Sequence, residues 1–189
     1  MIEDTRGKGV PTNALGDKED RVLISDFYAA YKNLPGKNQF CWVHLLRDSK
    51  ATQSKFHKDL KNIYSELKAE LAKDLQDRNY SRFNESLKDI SQKKYSGENI
   101  LQVQKLQKRI ERNHKQLLTC LEYAGVLPEN NTAERTLRNS VVMRKIFGCS
   151  RSVKSAKIME VNTSVIDTLL KQNSEKRFFE VILPKLKKE

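Results

Sequence analysis

Apolar residues recur through the middle of the chain at helical spacing. Phe56, Leu60, Ile63, Leu67 and Leu71 follow one another at intervals of four, three, four and four, the stripe of a helix that buries one face. Phe83, Leu87 and Ile90 form a shorter stripe. Val103, Leu106, Ile110, Leu117 and Leu121 form a long one, which predicts a third helix reaching about Tyr123 and ended by Gly125 and Pro128. The first part of the chain has a different pattern. Gly7, Gly9, Pro11, Asn13 and Gly16 break any periodicity, so the first twenty residues are expected to be loop-like. Val22-Leu23-Ile24 is a short continuous apolar run, which predicts a strand buried on both faces and closing at Asp26. Phe27–Tyr31 predicts a short helix stopped by Pro35-Gly36, and Gln39–Val43 a second strand leading into His44. Strand, helical turn, strand favours a parallel pair.

Beyond Pro128 the chain reads as helices. Asn131 or Asn130 is a good N-cap; if Asn131 caps, Glu134 is at the third helical position, where a carboxylate suits both a capping box and the helix dipole. That helix runs to about Phe147 and stops at Gly148. Another spans about Ser155 to Gln172, with Ile158, Val161, Val165 and Leu169 on one face, and a last one holds Phe178, Phe179, Ile182 and Leu183. Two strands cannot make an independent sheet that buries both faces, so more sheet is expected upstream of Met1.

Composition narrows the classes. The 189 residues suffice for one domain, or one domain with an inserted subdomain. No apolar run approaches the ~20 residues of a membrane span, and the N-terminus has no signal-peptide pattern. Cys41, Cys120 and Cys149 are scattered and odd in number, which argues against a disulfide framework and suits a reducing cytosol. The net charge of +12 points to a polyanionic partner, with nucleic acid first. Half of it lies between Glu134 and Lys157, where seven basic residues (Arg135, Arg138, Arg144, Lys145, Arg151, Lys154 and Lys157) face one acid, Glu134 itself.

Singly, the candidate residues have ordinary readings. Asp26 suits a turn after a strand, Glu134 an N-terminal helix acid paired with Arg138, and the basic cluster a solvated face. Cys41-x-x-His44 has the look of half a metal site, but zinc needs about four ligands and the other Cys and His residues are single. His57 and His114 read as packed or solvated, and Trp42 as core.

Together the motifs say more. Val22–Tyr31 with its Asp-Phe-Tyr-x-x-Tyr, Gln39–Asp48 with its Cys-x-x-His, and Glu129–Arg138 with its Asn-Asn-x-x-Glu-Arg resemble transposases of the insertion-sequence-66 family. Val142–Gly148, Ser150-Arg151-Ser152 and Thr168 continue the resemblance, which covers about Arg6 to Leu186. It implies an α/β chain, mostly α by content: a partial ribonuclease-H-like fold with a large all-helical insertion. Residues 1–48 would be a remnant of the sheet, 49–127 the insertion, and 128–189 the C-terminal helices of the catalytic core. The resemblance makes Asp26 the second and Glu134 the third carboxylate of a DDE triad, 108 positions apart. Cys41, His44 and Asn131 would support the site, and Arg135, Arg138, Arg144, Lys145 and Arg151 would contact DNA. The implied chemistry is in-line displacement at phosphorus, with two Mg²⁺ (or Mn²⁺) ions held by hard carboxylate oxygens.

The first aspartate of such a triad has no match here. Asp4, Asp17 and Asp20 lie in the loop-like region without strands ahead of them. The expectation is therefore an N-terminally truncated transposase, inactive alone. The alternative is a non-catalytic basic DNA-binding protein that modulates a full-length transposase. Implied partners are transposon-end DNA and a full-length transposase or an upstream fragment, with no membrane and with oligomerisation open. The setting would be the cytoplasm of a prokaryotic cell.

Overall fold

The computed structural model describes residues 9–16, 19–31, 34–147, 152–173 and 180–181. The protein is mostly helical, with one small parallel sheet. It divides into two compact units, Gly7–Asn131 and one that contains Thr132–Glu189.

The first unit opens on a helix, α1 (Gly9–Leu15), where the sequence predicts a loop. Pro11 is tolerated there because the first turn has no intrahelical use for its missing N–H. The helix ends on Gly16 at φ +64°, and the Arg21 guanidinium donates to the carbonyls of Leu15 and Gly16. That cap comes from outside the helix, which is why local periodicity misses it.

Strands β1 (Val22–Ser25) and β2 (Lys37–Phe40) pair in parallel, with Val22 opposite Lys37 and Ser25 opposite Phe40. The eleven residues 26–36 make the crossover, near the minimum for a parallel pair. In place of the expected helix over 27–31 there is one 3₁₀ turn, Ala29–Tyr31. Gly36, at φ +91°, is required where the chain re-enters the sheet: a Cβ there would lie 2.7 Å from the Arg21 carbonyl oxygen, which Lys37 N–H bonds at 2.9 Å. The apolar run of β1 is not buried on both faces. Val22, Leu23 and Ile24 are half-buried, and Ser25 is buried.

The second strand lies earlier than its apolar run suggests. It ends at Phe40, and Trp42 already begins α2 (Trp42–Lys50). Trp42, Leu45 and Ser49 are buried at intervals of three and four, so helical periodicity overrides the strand-like run Phe40–Val43. The helices α3 (Lys55–Glu70), α4 (Tyr80–Gln92) and α5 (Ile100–Leu117) bury the predicted stripes in one core with Phe40 and Trp42. Each fully buried Leu or Phe there stabilises the fold by about 1.5–3 kcal/mol.

The third helix does not run through to Tyr123. Asn113 leaves helical geometry (φ −127°, ψ 18°) while its amide bonds the Arg109 carbonyl at 2.6 Å, and the helix ends at Leu117. A separate turn, α6 (Thr119–Glu122), follows. The break aims the end of α5 at the sheet. Leu117 carbonyl accepts from Gln39 Nε2 at 3.1 Å and from Trp42 Nε1 at 2.8 Å. Gln39 Oε1 accepts Cys120 N–H at 2.6 Å, and Thr119 donates to Asn38 carbonyl at 2.8 Å.

The second unit holds α7 (Asn131–Phe147) and α8 (Val153–Gln172). Asn131 is the first residue of α7 rather than its cap, and Glu134 stays in the first turn. Ser152 caps α8, accepting Ser155 N–H at 3.1 Å. Ile158, Val161 and Val165 stay exposed, and α8 has no buried residue. The last predicted helix, with Phe178, Phe179, Ile182 and Leu183, lies outside the described residues, as does Gly148. Among the described residues no helix is long and apolar enough to cross a membrane.

Candidate functional site

Asp26 stands one residue past the carboxyl end of β1, half-buried. In open α/β sheets, ligands meet the protein at the carboxyl ends of the strands. Its Oδ1 accepts Tyr28 N–H at 3.0 Å, an Asx turn that orients the carboxylate. A carboxylate has about four lone-pair sites, so one such bond leaves it able to take a cation. The next residue, Phe27, is held firmly. Its ring lies 4.8 Å from that of Phe40, and the Arg109 guanidinium stacks over it at 5.1 Å while pairing with Asp48 at 2.5 Å.

Cys41 is level with Asp26 at the same end of the sheet, since Cys41 N–H bonds Ser25 carbonyl at 2.8 Å. It is fully buried, and its Sγ accepts Asn130 N–H at 3.3 Å. Trp42 N–H donates to Pro128 carbonyl at 2.9 Å. Tyr64, whose ring stacks on Trp42 at 5.6 Å, donates its hydroxyl to Glu129 Oε2 at 2.5 Å. Burial, reinforced by the Glu129 carboxylate, pushes the Tyr64 phenol well above its ordinary range, so it stays a proton donor. Pro128 and Asn130 are thus bonded where β2 passes into α2, and Glu129 is bonded to α3.

His44 lies in the first turn of α2, half-buried. His57 is packed, with Nδ1 2.8 Å from Ser49 Oγ, and burial, aided by Lys61 and Lys50, lowers its pKa. His114 Nδ1 lies 2.8 Å from the Glu111 carbonyl. Burial pushes the Cys120 thiol up to about 12, so it stays protonated.

Glu134 is half-buried in the first turn of α7, and Arg135 and Arg138 are exposed on the same helix. Arg144 and Lys145 belong to α7 by backbone, but their side chains lie outside the description, and Arg151 lies outside the described residues. Asp26 belongs to the first compact unit and Glu134 to the second.

Both acids offer the hard oxygen donors that Mg²⁺ or Mn²⁺ takes. Among the described residues no three His, Cys, Asp or Glu side chains group as a metal site. The buried Cys41 thiol is occupied with Asn130 N–H.

Sequence reasoning missed Arg109, Asp48, Tyr64 and Glu129. Nothing local marks them, since their partners lie 61 to 82 positions away. Comparison with family models matches residues 1–158 to the Transposase IS66 family. Comparison with curated proteins gave no match, and comparison with solved structures gave none.

Proposed function

The chain belongs to the IS66 transposase family, and on that premise we propose that it carries part of a catalytic core for DNA transposition. Asp26 and Glu134 would be two of its three carboxylates. The observation that carries this reading is Asp26 at the carboxyl end of a parallel strand, its carboxylate held by Tyr28 N–H. In this reading residues 1–48 and 128–189 belong to a ribonuclease-H-like core, 49–127 are a helical insertion, and Cys41, His44 and Asn131 support the site. Bound Mg²⁺ or Mn²⁺ would supply activation of the attacking oxygen and stabilisation of the leaving one. Asp26 and Glu134 would hold it, and Arg135, Arg138, Arg144, Lys145 and Arg151 would neutralise DNA phosphates.

No residue of this chain matches the first aspartate, so the 189 residues alone are expected not to nick DNA in Mg²⁺. Nicking by the purified chain that is lost in both Asp26→Asn and Glu134→Gln would overturn that expectation. A plasmid-nicking assay decides it.

The exposed pair Arg135 and Arg138 favours a second reading, a non-catalytic DNA-binding protein that acts on a full-length transposase. It predicts salt-sensitive binding to DNA that is indifferent to Glu134→Gln. Replacing Arg135 and Arg138 by Ala should lower the slope of log K against log salt by about 1.8, at about 0.9 per phosphate contact. An unchanged slope in a fluorescence titration counts against it.

A further inference from the structure

The three long helices of the first unit differ in charge. Helix α3 carries four Lys or Arg against three Asp or Glu, α4 two against two, and α5 five against one. On α3 and α4 cations meet carboxylates. Arg82 of α4 pairs with Glu66 of α3, and Lys93, just past α4, pairs with Asp59 at 2.8 Å. On α5, Arg109 pairs with Asp48 at 2.5 Å. Among the described residues Lys105, Lys108, Arg112 and Lys115 have no carboxylate partner, and all four are exposed.

Their placement is ordered. Lys105, Lys108 and Arg112 follow at intervals of three and four, within an arc of about 60° and along about 10 Å of helix axis. Lys115 comes next, past the break at Asn113. Val103, Leu106 and Ile110 are buried on the opposite side. The acid of the helix, Glu111, lies outside the arc, and Leu101 shares it. Arg109 borders the arc and fixes its orientation, since it pairs with Asp48 on α2 and lies over the Phe27 ring at 5.1 Å. Phe27 follows Asp26, so the stripe borders the sheet end that carries Asp26.

We propose that the outer face of α5 binds duplex DNA, with Lys105, Lys108, Arg112 and Lys115 meeting phosphates of its backbone. The choice of DNA over duplex RNA rests on the transposition reading, whereas the phosphate chemistry does not. A duplex offers one negative charge per ~1.7 Å of axis, so a row of unneutralised cations finds phosphates without reading bases. A protein partner would want an apolar or aromatic core to its patch, and this arc has Leu101 alone. A single strand would want aromatic platforms for its bases, and α5 has no Phe, Tyr or Trp. Binding at this face is therefore independent of base sequence.

The test titrates the full chain with fluorescent duplex DNA of two unrelated sequences across a salt series. One variant changes Lys105, Lys108, Arg112 and Lys115 to Gln. A control changes Lys55, Lys58, Lys61 and Lys88 to Gln, which removes the same charge from exposed positions of α3 and α4. Circular dichroism verifies that both keep their helices. The α5 variant should lower the slope of log K against log salt by about 3.6, at about 0.9 per phosphate contact, for both sequences alike. The control should lower it by less than about 1. A wild-type slope in the α5 variant, or equal losses in the two variants, overturns the surface. Poly-glutamate bound as tightly as DNA and with the same dependence on α5 overturns the phosphate assignment, and tighter α5-dependent binding of duplex RNA overturns the choice of DNA. An α5 variant that keeps the wild-type slope while Arg135→Ala plus Arg138→Ala loses it sinks this inference alone. A wild-type chain that binds no duplex DNA at low salt sinks the DNA-binding reading and this inference together.

Discussion

Helix α4 buries Phe83, Leu87 and Ile90 within 13 residues, whereas α8 runs for 20 residues and buries none. Both carry apolar positions three and four apart. In α4 each such residue meets Phe56, Leu106 or others of one core cluster. In α8, Ile158, Val161 and Val165 remain more than half exposed. An apolar stripe shows that a helix can bury a face, and the unit around it decides whether it does. The first unit is ruled by packing. In the described part of the second, Arg135 and Arg138 lie exposed beside apolar positions of α8 that are not buried, and there charge can vary at little cost to packing.

The sharpest way to break this contrast is a cavity. Leu106 is fully buried in α5, so Leu106→Ala should cost about 2–5 kcal/mol in urea denaturation. A loss below about 1 kcal/mol would mean that the first unit is packed no better than the second. Next comes Glu70, a buried acid at the end of α3. It accepts Asn79 N–H at 2.9 Å and pairs with Lys73 at 2.9 Å. Glu70→Gln should cost about 1.5–3 kcal/mol at neutral pH. The backbone bond from Asn79, then Lys73, lowers the Glu70 pKa below its ordinary 4.5 against the opposing effect of burial. The carboxylate's contribution is therefore complete above that ordinary value and disappears as pH falls through the lower folded one. The gap between wild type and Glu70→Gln should narrow along an acid titration, and a gap that stays constant would show that Glu70 is not charged in the fold. Smallest is Val161→Ala on α8, expected to change stability by less than about 0.5 kcal/mol. A loss above 2 kcal/mol would mean that this face is covered and would dissolve the comparison.

Several of these features were legible in the sequence for a physical reason. The stripes of α3, α4 and α5 follow from the 3.6-residue period, and the strand end at Asp26 follows from an apolar run that stops at a carboxylate. Other features lie beyond local pattern. Phe40-Cys41-Trp42-Val43 is one continuous apolar run, so nothing local marks where β2 yields to α2. The order is set by Trp42 and Leu45 turning into a core made of helices far along the chain. The cap that Arg21 places on α1, the break at Asn113 and the bond from Asn130 to Cys41 are all decided by tertiary partners. At the candidate site, Asp26 and Glu134 were visible as acids at a strand end and a helix start. Tyr64, Glu129 and Arg109 were not, because each looks like any residue on a helix surface or in a loop until its partner is in place.

Trp42 is the single tryptophan of the chain. It is fully buried, stacked on Tyr64 and bonded through its indole to Leu117 carbonyl. The protein thus contains its own optical probe, and that probe watches one joint: the meeting of sheet, helices and the loop that enters α7. Its emission should be blue while that joint is closed and shift red when water reaches the indole. Circular dichroism, by contrast, sums over all the helices, α7 and α8 included. Melting followed by the two signals at once therefore separates the fate of the joint from that of the rest, and transitions that fail to coincide would mean that the chain does not unfold in one step.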